Sequence, residues 1–185
     1  HFWRYRIGDI LSEYESNPPS LLILLGQEAW SSFLSMDKPF IKQIPVICAM
    51  VSSKTVILPE SSCFDIAEWM PEPKDVIDDF RDFNIISGFV YDYSVKQNLN
   101  LIKYLYPQTN SIHFLSDNSL GGIIMQSTLR GFLQNYNDLK VNFIDGRELS
   151  FIDVIGNVRS MEKDDCILVG TWKFDKSGDY IFNNA

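Results

Sequence analysis

Histidine is nearly missing from this sequence: His1 and His113 are the only two among 185 residues. A histidine-based triad or a zinc site therefore has little to draw on. His113 falls inside SIHFL and reads as a satisfied core or edge residue. No phosphate-binding loop, G-x-S-x-G elbow or H-E-x-x-H is present, so the common nucleotide, hydrolase and metalloprotease signatures are absent. Cysteine is sparse too. Cys48, Cys63 and Cys166 are the only three, an odd count at no metal-ligand spacing. Cys48 and Cys166 sit in apolar runs where a small hydrophobe would serve, so buried free thiols are expected, with a disulfide from either still open. No cofactor and no metal site are expected.

Positive charge is also in short supply. Sixteen Lys and Arg stand against 24 Asp and Glu, for a net charge of −8, and no basic cluster appears. Nucleic acid and anionic membrane surfaces are therefore disfavoured partners. The longest apolar run, LLILLG, is far too short to cross a bilayer, and no charged-then-apolar leader opens the sequence. Any membrane or targeting segment is expected outside these residues. The opening, HFWRYRIGDILSEYES, reads directly as a helix, as though the chain were cut from something longer.

What is present is apolar material. At 45% hydrophobic and 22% charged, the chain has enough for one large domain or two small lobes. Phe2, Ile7, Ile10 and Leu11 keep a rough helical period until NPPS stops it. LLILLG at 21–26 has the continuous apolar character of a strand covered on both faces in a parallel sheet. QEAWSSFLSM then reads as a helix, and IPVICAMVSS at 44–53 as a second buried strand, with KTVIL extending it or pairing beside it. From Pro59 to Phe83 the chain makes a long excursion, with a helix expected near PKDVIDDFRDF and proline in its first turn. IISGFVYD at 85–92 is another strand.

Ser94 and Gln97 stand three apart in a capping-box arrangement ahead of a stripe of Val95, Leu99, Ile102 and Leu105, with Pro107 beyond the end. Then SIHFLSD, a helix over about 120–136, KVNFIDG, a helix over about 151–161 and DCILVGTW alternate regularly. That alternation predicts parallel strands joined by helical crossovers. The pattern gives two α/β blocks, a partial lobe over 1–88 and a second over 89–185, with a hinge near 88–93.

In parallel α/β sheets, ligands collect outside the carboxyl ends of the strands. Those ends read Gly26-Gln27-Glu28, Val51-Ser52-Ser53, Asp117-Asn118-Ser119, Asp145-Gly146-Arg147 and Thr171-Trp172. Their polar side chains suit directional hydrogen bonds, and Trp172 or Tyr91 could cover an apolar or sugar face. Plainer readings stand beside these. Asp117, Asn118 or Ser119 could cap the following helix. Ser52 and Ser53 could form a turn, and Trp172 and Tyr91 could simply pack. Asp78-Asp79 and Asp164-Asp165 follow no strand, which argues against a phosphorylation receiver and leaves them as solvated acidic faces. Asp117 with Glu28 is the pair open to a hydrolase or transferase, but two carboxylates alone define no reaction. A domain acting only through dimer or partner contact is a further alternative.

SLLILLGQEAW, IPVICAMVS, SGFVYDYSVKQNLNLIKYLYPQTNSIHFLSDNSLGG and DCILVGTW together resemble the substrate-binding-protein-like family related to aromatic-amino-acid-binding receptors of ABC transporters. In particular they are similar to the extracytoplasmic sensor domains of bacterial hybrid two-component histidine kinases. The resemblance runs over roughly residues 21–172. It implies a type I periplasmic-binding-protein fold, with two Rossmann-like three-layer lobes and a small molecule held in the interlobe cleft. Carried over by position, that cleft is lined by Gly26, Gln27, Glu28, Ser52 and Ser53 from one lobe, and by Asp117, Asn118, Ser119, Thr171 and Trp172 from the other. The family begins with a strand before the first helix, which this sequence lacks, so lobe one is expected to be incomplete with an exposed sheet edge. The implied role is noncatalytic sensing of an unnamed small molecule in the periplasm, within a membrane-anchored protein. The alternative is an ABC-transporter substrate-binding protein. A homodimer stays open as a partner.

Overall fold

The computed structural model describes residues 2–60, 64–135, 140–178 and 180, without the side chains of residues 2 and 3. Cys63 and the expected end of a helix at Tyr136 lie outside the described residues. The fold is mixed α/β with parallel sheets. The chain forms two compact units, His1–Asp65 with Pro71–Tyr93, and Ile66–Met70 with Ser94–Ala185.

Unit 1 contains α1 (Phe2–Ser12), β1 (Leu22–Leu25), α2 (Gln27–Leu34), a short 3-10 turn (Pro39–Gln43), β2 (Val46–Ser52), β3 (Lys54–Thr55), β4 (Lys74–Asp75) and β5 (Ile85–Tyr91). Its three-stranded sheet runs β1-β2-β5, and all pairings are parallel. Leu24, Val46, Cys48 and Val51 face a core built with Trp30, Phe33 and Leu34 of α2, Leu11 of α1, and Phe80 and Phe83. Gly26 ends β1 at φ 88, a left-handed angle that costs glycine little, and so turns the chain directly into α2.

Three expectations for this unit are corrected. β1 is not covered on both faces: Leu24 is 6% exposed, but Ile23 is 59% and Leu25 63% exposed. The buried core lies on one side, and among the described residues nothing covers the other. The helix expected near PKDVIDDFRDF does not form. Asp75 instead accepts the Ile77 and Asp78 amides through its carboxylate and donates its own amide to Asp79, which makes a turn. A short polar side chain has outcompeted the helical pattern there. KTVIL, finally, does not extend β2: its first two residues form β3, which pairs antiparallel with β4.

Unit 2 contains α3 (Val95–Leu105), β6 (Ile112–Ser116), α4 (Leu120–Leu133), β7 (Val141–Asp145), α5 (Phe151–Arg159) and β8 (Cys166–Thr171). Its sheet runs β7-β6-β8, again parallel throughout. Leu99, Ile112, Phe114 and Leu129 form the buried centre, with Val95 and Ile102 packed against it and Leu105 exposed. Ser94 is the N-cap of α3, but its side chain makes no capping bond. Its ψ of 79° lies away from the extended angles that aim a capping hydroxyl at the helix. The capping box is found at α5, where Ser150 and Asp153 satisfy each other's amides.

Candidate functional site

The predicted residues of unit 1 gather at the carboxyl ends of β1, β2 and β5. Gln27 is buried and bridges three elements: its Oε1 accepts the Ser52 amide at 2.8 Å, while Nε2 donates to Ser31 and Thr55. Ser31 and Thr55 join each other at 2.7 Å. The Ser52 hydroxyl, also buried, accepts the Lys54 amide. These side chains hold the strand ends together with neutral hydrogen bonds. Glu28 is exposed in the first turn of α2, where the helix dipole favours an acid. Ser53 donates to Asp92 at 2.8 Å. Tyr91 is exposed, with the Tyr93 ring edge-on at 5.1 Å and the Tyr93 hydroxyl donating to it. Burial, with Tyr91 alongside, pushes the Tyr93 phenol up to about 12. Asp92 and Tyr93 were missed by the sequence reading, although they follow β5 directly and obey the same strand-end rule.

In unit 2, Asp117 is 1% exposed. Its carboxylate accepts the Ser119 amide and hydroxyl at 3.1 and 2.5 Å, the Thr171 hydroxyl at 3.3 Å and the Lys173 amide at 2.7 Å. Gly122 makes this seat possible, because a Cβ there would lie 2.4 Å from the Asp117 carboxylate. Ser119 is the N-cap of α4 and accepts the Gly122 amide at 3.1 Å. Asn118 donates its amide to Phe174 and its side-chain Nδ2 to the Asp175 carbonyl. Its Oδ1 is buried without a partner among the described residues, and so is the indole Nε1 of Trp172. Gly146 is bare for close packing: a Cβ there would sit 2.8 Å from both the Trp172 ring and the Asp117 backbone.

Beside this cluster lies a buried ionic one. Arg147 binds both oxygens of Asp145, donates to the Gln126 side-chain oxygen, and reaches the carbonyls of Ile66 and Trp69. That reach is how residues 66–70 come to belong to unit 2. Burial alone would raise the Asp145 carboxyl, but hydrogen bonds from Arg147 and Gln126 together with the Arg147 charge hold it below the usual carboxylate range. The sequence marked Asp145-Gly146-Arg147 as a strand end, yet nothing local signals that its guanidinium is buried.

No family model matches this chain, and no curated protein and no solved structure matches it.

Chemistry of other kinds is thinly represented. Among the described residues, no group of three or more His, Cys, Asp or Glu side chains could hold a metal ion, and no helix is long and apolar enough to cross a membrane. Ser111 and Asp165, just before β6 and β8, do meet His113 of β6, but His113 presents the same nitrogen, Nε2, to Ser111 and to Asp165, each at 3.2 Å. Ser111 donates directly to Asp165 at 2.5 Å. A base that must relay a proton uses its two ring nitrogens on opposite partners, so this is not a nucleophile–base–acid arrangement. Asp165 is accordingly no solvated face: its side chain is 10% exposed, and bonds from Ser111, the Glu162 amide and His113 hold its carboxyl below the ordinary range. Cys48 and Cys166 are free thiols, Cys48 buried and Cys166 half-buried.

Three cavities among the described residues lie elsewhere. Unit 1 has one of about 480 Å³ near Arg4, Lys42 and Phe83 and another of about 390 Å³ beneath β5, and unit 2 has one of about 460 Å³ between α3 and β8. None of these is lined by a predicted site residue.

Proposed function

We propose that this chain is a noncatalytic ligand-binding sensor domain of the type I periplasmic-binding kind, extracytoplasmic and coupled to a two-component histidine kinase. A small polar molecule is held by polar residues at the strand ends, and its binding shifts an equilibrium between conformations that differ in affinity for it. The observation that carries this reading is that two buried groups at the ends of neighbouring strands, the Asn118 Oδ1 acceptor after β6 and the Trp172 Nε1 donor after β8, have no partner among the described residues. Buried polar atoms are rarely left without partners, and such an atom is open to a water, an ion or a ligand; Trp30 Nε1, Ser32 Oγ and Arg130 Nε are also unpartnered, but these two stand together at adjacent strand ends. A ligand carrying both an N–H and a carbonyl or carboxylate oxygen, such as an amino acid or a nucleobase, satisfies both.

A thermal-shift panel of amino acids, sugars and nucleobases tests the reading. A ligand at a hundred times its dissociation constant stabilises by about 2.7 kcal/mol. Asn118→Ala and Trp172→Phe should each abolish that shift, whatever smaller loss of ligand-free melting temperature follows from the Asn118–Asp175 bond or the Trp172–Gly146 packing. The reading fails if no compound moves the transition, or if both variants respond as the parent does.

A further inference from the structure

The cavity of about 390 Å³ beneath β5 is at the small end of the range for ligand pockets. Trp30, Cys48, Val76, Phe80 and Phe83 form its buried floor, while Val90 and Arg81 stand exposed at its rim. The floor is apolar and rich in aromatic rings, with Phe80 and Phe83 edge to face at 5.8 Å. One polar atom interrupts it. The indole Nε1 of Trp30 is buried and has no partner among the described residues. Of the three cavities, this is the one whose lining includes a residue with such an atom. A water answers that donor poorly, because a buried water is held by roughly two to four polar groups and the rest of the floor offers only the weakly polar thiol of Cys48.

We propose that this cavity is a second binding site, for a small uncharged heteroaromatic molecule whose ring nitrogen or carbonyl oxygen accepts the Trp30 indole N–H. The aromatic floor supplies the contact area for a flat ring, and the single donor fixes which way the ring lies. Charge is excluded by the lining itself. Arg81 is its one charged residue, exposed and already paired with Asp78 at 2.6 Å. Burial pushes the Cys48 thiol up, so that group stays neutral as well. An ionised ligand would lose its hydration here without gaining a counter-charge. A small shift of the floor side chains accompanies the new bond, because the Trp30 N–H is closed to solvent as they stand. The site is separate from the strand-end residues of β6 and β8, and neither depends on the other.

Quinoline and indole are the probes, since the two fused rings are close in size but quinoline carries an acceptor nitrogen and indole a donor. Each is titrated to about 5 mM into the isotope-labelled chain while the tryptophan indole N–H signals are followed by NMR. Quinoline should move the Trp30 signal downfield with a dissociation constant below about 1 mM, and should bind about tenfold more tightly than indole. Trp30→Phe removes the donor and should erase that preference. Val90→Trp narrows the mouth at an exposed position, so it should keep the parent's melting temperature and weaken quinoline binding by roughly tenfold. Trp172→Phe should bind quinoline as the parent does, which separates this cavity from the strand-end site. The proposal is overturned if quinoline leaves the Trp30 signal in place, if indole binds as tightly, or if the preference survives in Trp30→Phe. Unchanged binding in Val90→Trp, or its loss in Trp172→Phe, overturns it too. Should Trp30→Phe fail to fold, the parent's discrimination between the two probes and the Val90→Trp variant decide the matter.

Discussion

Both units build a three-stranded parallel sheet with the same plan, one strand in the middle and its polar ends clustered beyond the carboxyl edge. They secure those ends by different chemistry. Unit 1 uses neutral groups, with Gln27 linking Ser31, Ser52 and Thr55. Unit 2 uses ionised ones, with Asp117 gathering the chain at Ser119, Thr171 and Lys173, and with Asp145 paired to Arg147. A neutral network loses little when buried so long as its bonds are made. A buried charge is tolerated only while its partner is present, so it fixes one arrangement at greater risk. Each sheet also carries one extra residue near that edge. In β2 it falls at Ala49-Met50, where Met50 takes φ 59, and in β8 it is Gly170, packed against the Phe114 ring.

The sharpest way to break this contrast is to remove one partner of each network. Arg147→Met leaves Asp145 buried and unpaired and should destabilise the chain by about 3 to 5 kcal/mol in urea denaturation. Adding Asp145→Asn to it should restore a large part of that loss, because the stranded charge goes as well. If the single and double variants unfold at the same urea concentration, the ion pair is not what holds this end of the sheet. Gln27→Ala removes only neutral bonds and should cost about 1 to 3 kcal/mol by the same measurement.

Acid separates the networks further. A carboxyl held below its unfolded value contributes stability that is fully present above about pH 4 and is lost as pH falls through the folded-state value. Asp145 and Asp165 are both held low, so melting temperature should drop below about pH 4, and the drop should be shallower in the Asp145→Asn/Arg147→Met variant. Gln27→Ala should lower the whole curve without changing its shape, since that network has no titrating group. The smallest effect belongs to the extra residues. Met50→Gly relieves a left-handed angle at an exposed position and, after the added freedom of the unfolded chain, should stabilise by about 0.5 kcal/mol. A loss of stability there would show that the Met50 side chain contributes more than its exposure suggests.

Much of the fold was legible in the chain. The apolar runs at LILL, VICAMVS and IHFLS and the spacing after Leu120 each carry their own period, and period is a local property. Legibility failed where a short polar side chain chose between local structures. Asp75 turned an expected helix into a loop, and Ser150 rather than Ser94 built the capping box. For the candidate site, the strand-end rule picks out Asp117, Asn118, Ser119 and Trp172 from the sequence, and it also points to Asp92 and Tyr93. It did not distinguish Asp117 and Gln27, which are buried and hold the strands, from Glu28 and Tyr91, which stay exposed.

By itself, then, the sequence determined an alternating series of parallel strands and crossover helices with polar residues at the strand ends, because hydrophobic period and turn chemistry act over a few neighbouring residues. Only the tertiary structure decided which of those polar groups are buried and paired, since their partners arrive from distant parts of the chain. Asp117 is completed by Thr171 and Lys173, and Arg147 by Ile66 and Trp69. Asn118 and Trp172 are left with one buried polar atom each unpaired because, among the described residues, no side chain or carbonyl reaches them.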